Sequence, residues 1–224
     1  MESKYSFTLN DNLYLKDPLA TAIGRDIVAA GVPLFLETGL EHFTLKKLAQ
    51  KAGTTEATVY KYFKNKHRLL QYYFQLYWTW LEQQIKVFTA IEKDPQQRLL
   101  KAIEVICDIP EVAAHPGMVE KHDLRKLVIA EGSKAYLNVQ VDEDNAKQLF
   151  APYKSLARLL GSMMKDCAPS YPYPVALATT VVEMAHSMQY YRQHLPSLTE
   201  FSETHNRPQL TQFLILLTRN SLKF

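Results

Sequence analysis

The residues best suited to chemistry lie close together. Thr55-Glu56-Ala57-Thr58 places small or polar side chains in succession, and Tyr60-Lys61-Tyr62 follows with two phenols flanking an ammonium. Short polar side chains read hydrogen-bonding edges only at close range. Hydroxyls alternating with an ammonium suit an anionic backbone, where each donates to a phosphate oxygen. Ala57 is small enough for close approach and for packing on a methyl group. Thr44 and Lys66 stand where helices should begin, and the free N–H groups of a helix N-terminus also favour phosphate. Lys46 would extend that contact.

Charge distribution agrees. The 224 residues carry 26 Lys+Arg and 23 Asp+Glu, a net charge of +3 that by itself says little about partners. Residues 41–70 hold Lys46, Lys47, Lys51, Lys61, Lys64, Lys66 and Arg68 against only Glu41 and Glu56, a local +5, while residues 71–224 are balanced at 16 and 16. A compact basic segment on a neutral body points to a face for a polyanion. Plainer roles stand beside these. Thr44, Thr55 and Asn65 also serve as helix caps, Tyr60 as a packing residue, and Lys47, Lys51 and Lys64 as solvated charges.

The elements that must position these residues are helices. Helical periodicity dominates and no alternating strand pattern emerges. Residues 1–17 form an arm. Asp17-Pro18 reads as N-cap and first-turn proline of a helix through Leu19, Ile23, Ile27, Ala30, Leu34 and Phe35 that closes at Gly39, with Pro33 expected to kink it. Thr44 caps a short helix, Leu45 to Ala52. Gly53-Thr54-Thr55 turns the chain into a second, Glu56 to Phe63, held by Val59 and Phe63. Asn65 caps a long fourth helix with Leu69, Leu70, Tyr73, Phe74, Tyr77, Leu81, Ile85 and Phe88 on one stripe. Two short helices joined by a glycine turn, with a packed helix on either side, form a helix-turn-helix pattern. Further helices are predicted near 95–107, 120–138, 143–166, 173–195 and 208–222, separated by prolines.

The stretch from Phe43 to Lys66 resembles the DNA-binding signature of TetR-family transcriptional regulators. The likeness rests on the Ala52-Gly53 turn, Thr58-x-Tyr60-x-Tyr62-Phe63 and the capped Lys66, together with Leu34-Phe35-x-x-x-Gly39 upstream. It covers roughly residues 18–70 and implies an all-α protein with an N-terminal three-helix helix-turn-helix domain (18–65). A long helix would join this to a C-terminal ligand-binding and dimerisation domain (66–224). The resemblance implies operator contacts by Thr44, Lys46, Thr55, Glu56, Ala57, Thr58, Tyr60, Lys61, Tyr62 and Lys66. It further implies a homodimer formed by the last two helices (about 173–195 and 208–222), double-stranded DNA as a partner, and release by a small, largely apolar effector. Two departures stand out. Glu56 replaces a commonly basic or neutral residue and either favours the helix dipole or accepts from a cytosine amino group. His67 replaces the usual acidic one.

For the pocket, Trp78, His122, Tyr136, Tyr153, Met163, Met184, His186 and Met188 are candidate lining residues by type, with ordinary core as the alternative for each. Glu183-x-x-His186 matches half of a di-iron carboxylate pattern with no second Glu-x-x-His to complete it. With no phosphate-binding glycine loop, Cys-x-x-Cys or nucleophile elbow, neither enzyme chemistry nor a cofactor or metal is expected. No apolar run approaches the ~20 residues that span a bilayer, the first ten residues lack an apolar signal core, and Cys107 and Cys167 make no disulfide framework, so a cytoplasmic protein is expected. The alternative is a helical carrier or lipid-binding protein on the same fold, without DNA binding.

Overall fold

In a computed structural model of the chain, the described residues are Phe7, 9–113, 116–201 and 209–224. Among them are ten α-helices and no strand, so the all-α expectation holds. The chain divides into two compact units, one made of residues 1–80 and 114–151, the other of 81–113 and 152–224. These units do not follow the functional division expected at 65/66. The long helix α4 (Lys66–Thr89) contributes to both, and the first unit is assembled from two separate stretches of chain.

The first unit is built on α1 (Ala22–His42), α2 (Leu45–Lys51), α3 (Glu56–Tyr60) and the start of α4. Asp17 and Pro18 do cap and start a turn, but it is a three-residue 3-10 helix, Pro18–Ala20; Thr21 then caps α1, its hydroxyl accepting from Gly24 N–H at 3.1 Å. Pro33 lies exposed within α1 and the helix runs through it. The interruption falls at Gly39 instead, with φ 65° and ψ 168°, a conformation essentially reserved to glycine. Phe43 follows, stacked on Phe35 with ring centroids 3.8 Å apart, and Tyr73 meets Phe35 edge-on while donating its hydroxyl to the Val28 carbonyl at 2.8 Å. Leu48, Val59, Phe63 and Leu69 close this core without exposure.

Helix α6 (Lys121–Tyr136) and the short α7 (Val141–Ala146) complete the unit. Periodicity predicts one helix over 143–166. The chain instead leaves α7 through Gln148, at φ 60°, before α8 (Ala151–Cys167). That break is fastened by a polar row on α4. The Arg68 guanidinium pairs with Asp144 at 2.7 Å, the Gln71 amide donates to the same carboxylate at 2.6 Å, and the Gln75 amide donates to the Leu149 carbonyl at 2.7 Å. Residues 68, 71 and 75 share one helix face, so the row is a consequence of helical spacing.

The second unit packs α5 (Pro95–Cys107), α8, α9 (Pro174–His194) and α10 (Gln209–Leu222) with residues 81–89. Asp94 caps α5, accepting from the N–H groups of Gln96 and Gln97, and Pro95 takes the first helical position. Leu99, Ile103, Leu156, Met164, Val181, Val182 and Leu214 form its core. Ala178 and Ala185, small residues expected to allow close helix approach, are fully buried within this unit. No described helix is long and apolar enough to cross a membrane.

The Arg68–Asp144 pair is testable. Asp144 is 2% exposed and Arg68 15%, so Asp144→Ala strands a largely buried guanidinium. It should cost about 3–5 kcal/mol, seen as a lower urea midpoint at unchanged m-value. Glu143→Ala, whose carboxylate faces solvent beside Lys147, should leave the midpoint nearly where it was.

Candidate nucleic-acid interface

Each short helix of the reading head is started by the residue the sequence assigns to it. The Thr44 hydroxyl accepts from Lys47 N–H and the Thr55 hydroxyl from Thr58 N–H, both at 3.2 Å, while the Asn65 side chain accepts from Arg68 N–H at 2.9 Å. The turn between α2 and α3 is a Schellman closure. Thr54 N–H reaches the Ala49 carbonyl at 2.9 Å, Gly53 N–H reaches Gln50, and Gly53 takes φ 65°. Val59 and Phe63 anchor the inner side of α3, which leaves Thr55, Glu56, Ala57 and Tyr60 exposed and Thr58 half-buried. Thr55 and Thr58 share a hydroxyl–hydroxyl hydrogen bond at 2.9 Å, so the start of α3 presents a pre-arranged pair.

The basic residues separate into two groups. Lys46, Lys61 and Lys64 are exposed and make no ion pair among the described residues. The remaining four are engaged within the protein. Lys47 donates to the His42 carbonyl at 3.0 Å, Lys51 pairs with Glu37 at 3.0 Å, and Arg68 holds Asp144. Lys66 donates to the carbonyls of Leu40 at 2.7 Å and Glu41 at 3.1 Å, tying the first turn of α4 to the end of α1. The local +5 therefore overstates what the surface offers a ligand.

Tyr62 also turns inward. It is 3% exposed, and its hydroxyl is 2.7 Å from that of Thr21. Tyr60 is 48% exposed and is the phenol that faces solvent. Sequence reasoning missed two participants. Glu131 on α6, only 7% exposed, accepts from Leu40 N–H at 3.1 Å and pairs with Lys134 at 2.8 Å. Lys16 of the arm stands 5.7 Å from the centre of the Tyr62 ring. No periodicity marks either, since both depend on contacts dozens of residues away.

The expected pocket residues fall into both units. In the first, Trp78 is buried against Phe74 and Tyr77, Tyr136 lies near Phe74, and His122 is exposed. In the second, Tyr153 hydrogen-bonds Glu183, the buried His186 ring faces the Val182 carbonyl at 2.8 Å, and Met184 and Met188 are half-buried. Met163 alone of the eight borders a groove of about 400 Å³ in that unit, whose walls include Lys86, Glu92, Arg98, Ser162 and Asp166. Arg98 and Asp166 pair across it.

Residues 27–73 match the family described as bacterial regulatory proteins, tetR family. A search of curated protein sequences gave no match. Among solved structures, the TetR-family transcriptional regulator PfmR from Thermus thermophilus is similar at a TM-score of 0.57 and 14% identity, over 88% of this chain and 97% of that one. AibR in complex with isovaleryl coenzyme A and operator DNA is similar at 0.55 and 14%, over 88% and 97%. The superantigen PfiT is similar at 0.59 and 14%, over 93% and 99%. At such identities the likeness is one of fold. Residues 27–73 thus carry the N-terminal signature of the tetR family of bacterial regulatory proteins, within a chain that has the all-helical fold of a solved TetR-family regulator.

Proposed function

We propose that the protein is a ligand-responsive DNA-binding transcriptional regulator, acting as a repressor. Its helix-turn-helix head (18–65), preceded by an arm (1–17), would bind one half of a pseudo-palindromic operator, and its helical body (66–224) would dimerise and hold a small, largely apolar effector. The observation that carries this is the start of α3, where a capped Thr-Glu-Ala-Thr turn exposes Thr55, Glu56 and Ala57, and where Tyr60, Lys46, Lys61 and Lys64 are exposed with no ion partner for the lysines among the described residues. That turn lies inside the segment that matches the family. The AibR complex, which holds operator DNA and a coenzyme A thioester, supports a ligand-responsive reading of the same fold. Effector binding would favour a state whose two heads are wrongly spaced for the operator.

The dimer surface is the outer side of α9 and α10. Phe213 and Leu216 on α10 and Val175 on α9 are exposed apolar side chains, and Ala176 and Thr180 on α9 are small and exposed. Leu216→Glu should convert a dimer to monomer, measured by sedimentation, and should weaken operator binding along with it. A second reading, a helical carrier or lipid-binding protein without DNA binding, draws on the inward turn of Tyr62 and on the engagement of Lys66 with the end of α1.

Selection of bound fragments from the source genome separates the two. The regulator reading expects enrichment of a pseudo-palindromic site bound with a Kd on the order of 10⁻⁸ M or tighter. Binding without sequence preference, alongside a co-purified lipid, would establish the carrier. On the selected site, Lys61→Ala should weaken binding to all sequences and reduce the slope of log K against log salt by about 1 per protomer. Lys66→Ala should weaken binding with the slope retained, because its ammonium holds the end of α1. Glu56→Ala and Thr58→Ala should instead change which base pairs are preferred, with about 1–3 kcal/mol of discrimination lost at the affected positions.

A further inference from the structure

The arm preceding α1 is folded onto the rest of the first unit. Leu9 and Leu13 are buried, the Asn10 N–H donates to the Gln75 side chain at 3.2 Å, and the Asn10 amide donates to the Lys147 carbonyl at 2.9 Å. The Tyr14 ring meets Tyr72 edge-on at 6.4 Å. Leu15 N–H then donates to the carbonyl of Tyr62 at 2.8 Å, which sets the arm beside the segment that leaves α3. Lys61 and Lys16 are each next in sequence to a partner in that hydrogen bond, and both are exposed.

The Tyr62 ring is the seat on which this arrangement rests. Its hydroxyl is engaged with Thr21 and its edge is buried, so it has no donor to offer outward. The Lys16 ammonium lies over the ring, and an aromatic face attracts a cation while leaving its three N–H groups free to point elsewhere. Lys16 makes no ion pair among the described residues. The two carboxylates nearest in sequence have other work. Asp17 accepts from Leu19 N–H at 2.8 Å, and Asp11 accepts from the Tyr14 hydroxyl at 2.8 Å; burial, reinforced by that bond, pushes the Tyr14 phenol up to about 12.

We propose that Lys16 is a phosphate-binding residue of the DNA interface, supplied by the arm beside Lys61 where the Tyr62 hydroxyl was expected. The partner is the backbone of double-stranded DNA, contacted without regard to sequence. This rests on the DNA-binding reading above and adds to it a residue outside the segment that matches the family.

The test is fluorescence anisotropy of the full chain on its selected operator duplex between 50 and 200 mM KCl. Four proteins are compared: wild type, Lys16→Gln, Lys16→Arg and Lys101→Gln, the last an exposed lysine of the second unit. Lys16→Gln should lower the magnitude of the salt slope by about 0.9 per protomer, and weaken binding roughly 5–10-fold per contact near 0.1 M salt, equally on operator and unrelated DNA. Lys16→Arg should keep the wild-type slope, and Lys101→Gln should leave it unchanged. A wild-type slope in Lys16→Gln, with wild type bound normally, overturns this inference and leaves the regulator reading standing. An equal loss of slope in Lys101→Gln also overturns it, since the effect is then net charge alone. Wild type that shows no salt-dependent binding to any duplex overturns both.

Discussion

The backbone of Leu40 is held at both its N–H and its carbonyl, and the geometry of the reading head depends on it. Helix α1 is interrupted at Gly39, which frees the Leu40 N–H from helical pairing; the Glu131 carboxylate takes it up. The Leu40 carbonyl is taken by Lys66. A carboxylate this buried is tolerable because it is both hydrogen-bonded and paired with Lys134. Gly39 adopts a backbone conformation that costs an L-residue about 1–3 kcal/mol, and a Cβ there would sit 3.3 Å from Glu131. One glycine thus sets where α1 stops, and two ionic side chains from other helices fix the direction in which the chain departs toward Thr44.

From that departure follow the placement of α2 and, through the Gly53 turn, of α3. The head then uses its charges in two ways. Lys66 and Arg68 are engaged inside, joining α4 to the end of α1 and to α7. Lys46, Lys61 and Lys64 remain outside. A charge count sees no difference between them. The interior ones fix orientation, and the exterior ones supply the field that a polyanion would meet.

What is legible in the sequence is local. Thr44, Thr55 and Asn65 cap because a capping side chain and its target lie within three residues, and Gly53 terminates α2 for an equally local reason. The departures from expectation have a common cause as well. Asp17-Pro18 begins a 3-10 turn with the same grammar that begins an α-helix, and the cap of α1 passes to Thr21. Residues 145–148 contain no glycine or proline, but Pro152 in the first turn of α8 cannot bond the Gln148 carbonyl as a continuous helix would require, and Gln75 and Arg68 from α4 fasten the resulting break. Local pattern points Tyr62 outward because its hydroxyl partner, Thr21, is 41 residues away. The pocket candidates rest on residue type alone, and residue type does not say which unit a side chain will enter.

The first unit is discontinuous in sequence, formed from residues 1–80 and 114–151 with a long excursion between them. Its second piece supplies Glu131 to the Leu40 peptide and Asp144 to Arg68. The reading head is therefore not a transplantable module bounded by two cut sites. A chimera that exchanges only the first 65 residues between two such proteins would part Leu40 from its carboxylate, and one cut at residue 80 would also part Arg68 from its counter-ion. Recombination on this fold must carry both pieces together, or re-evolve the ionic contacts at the new joint.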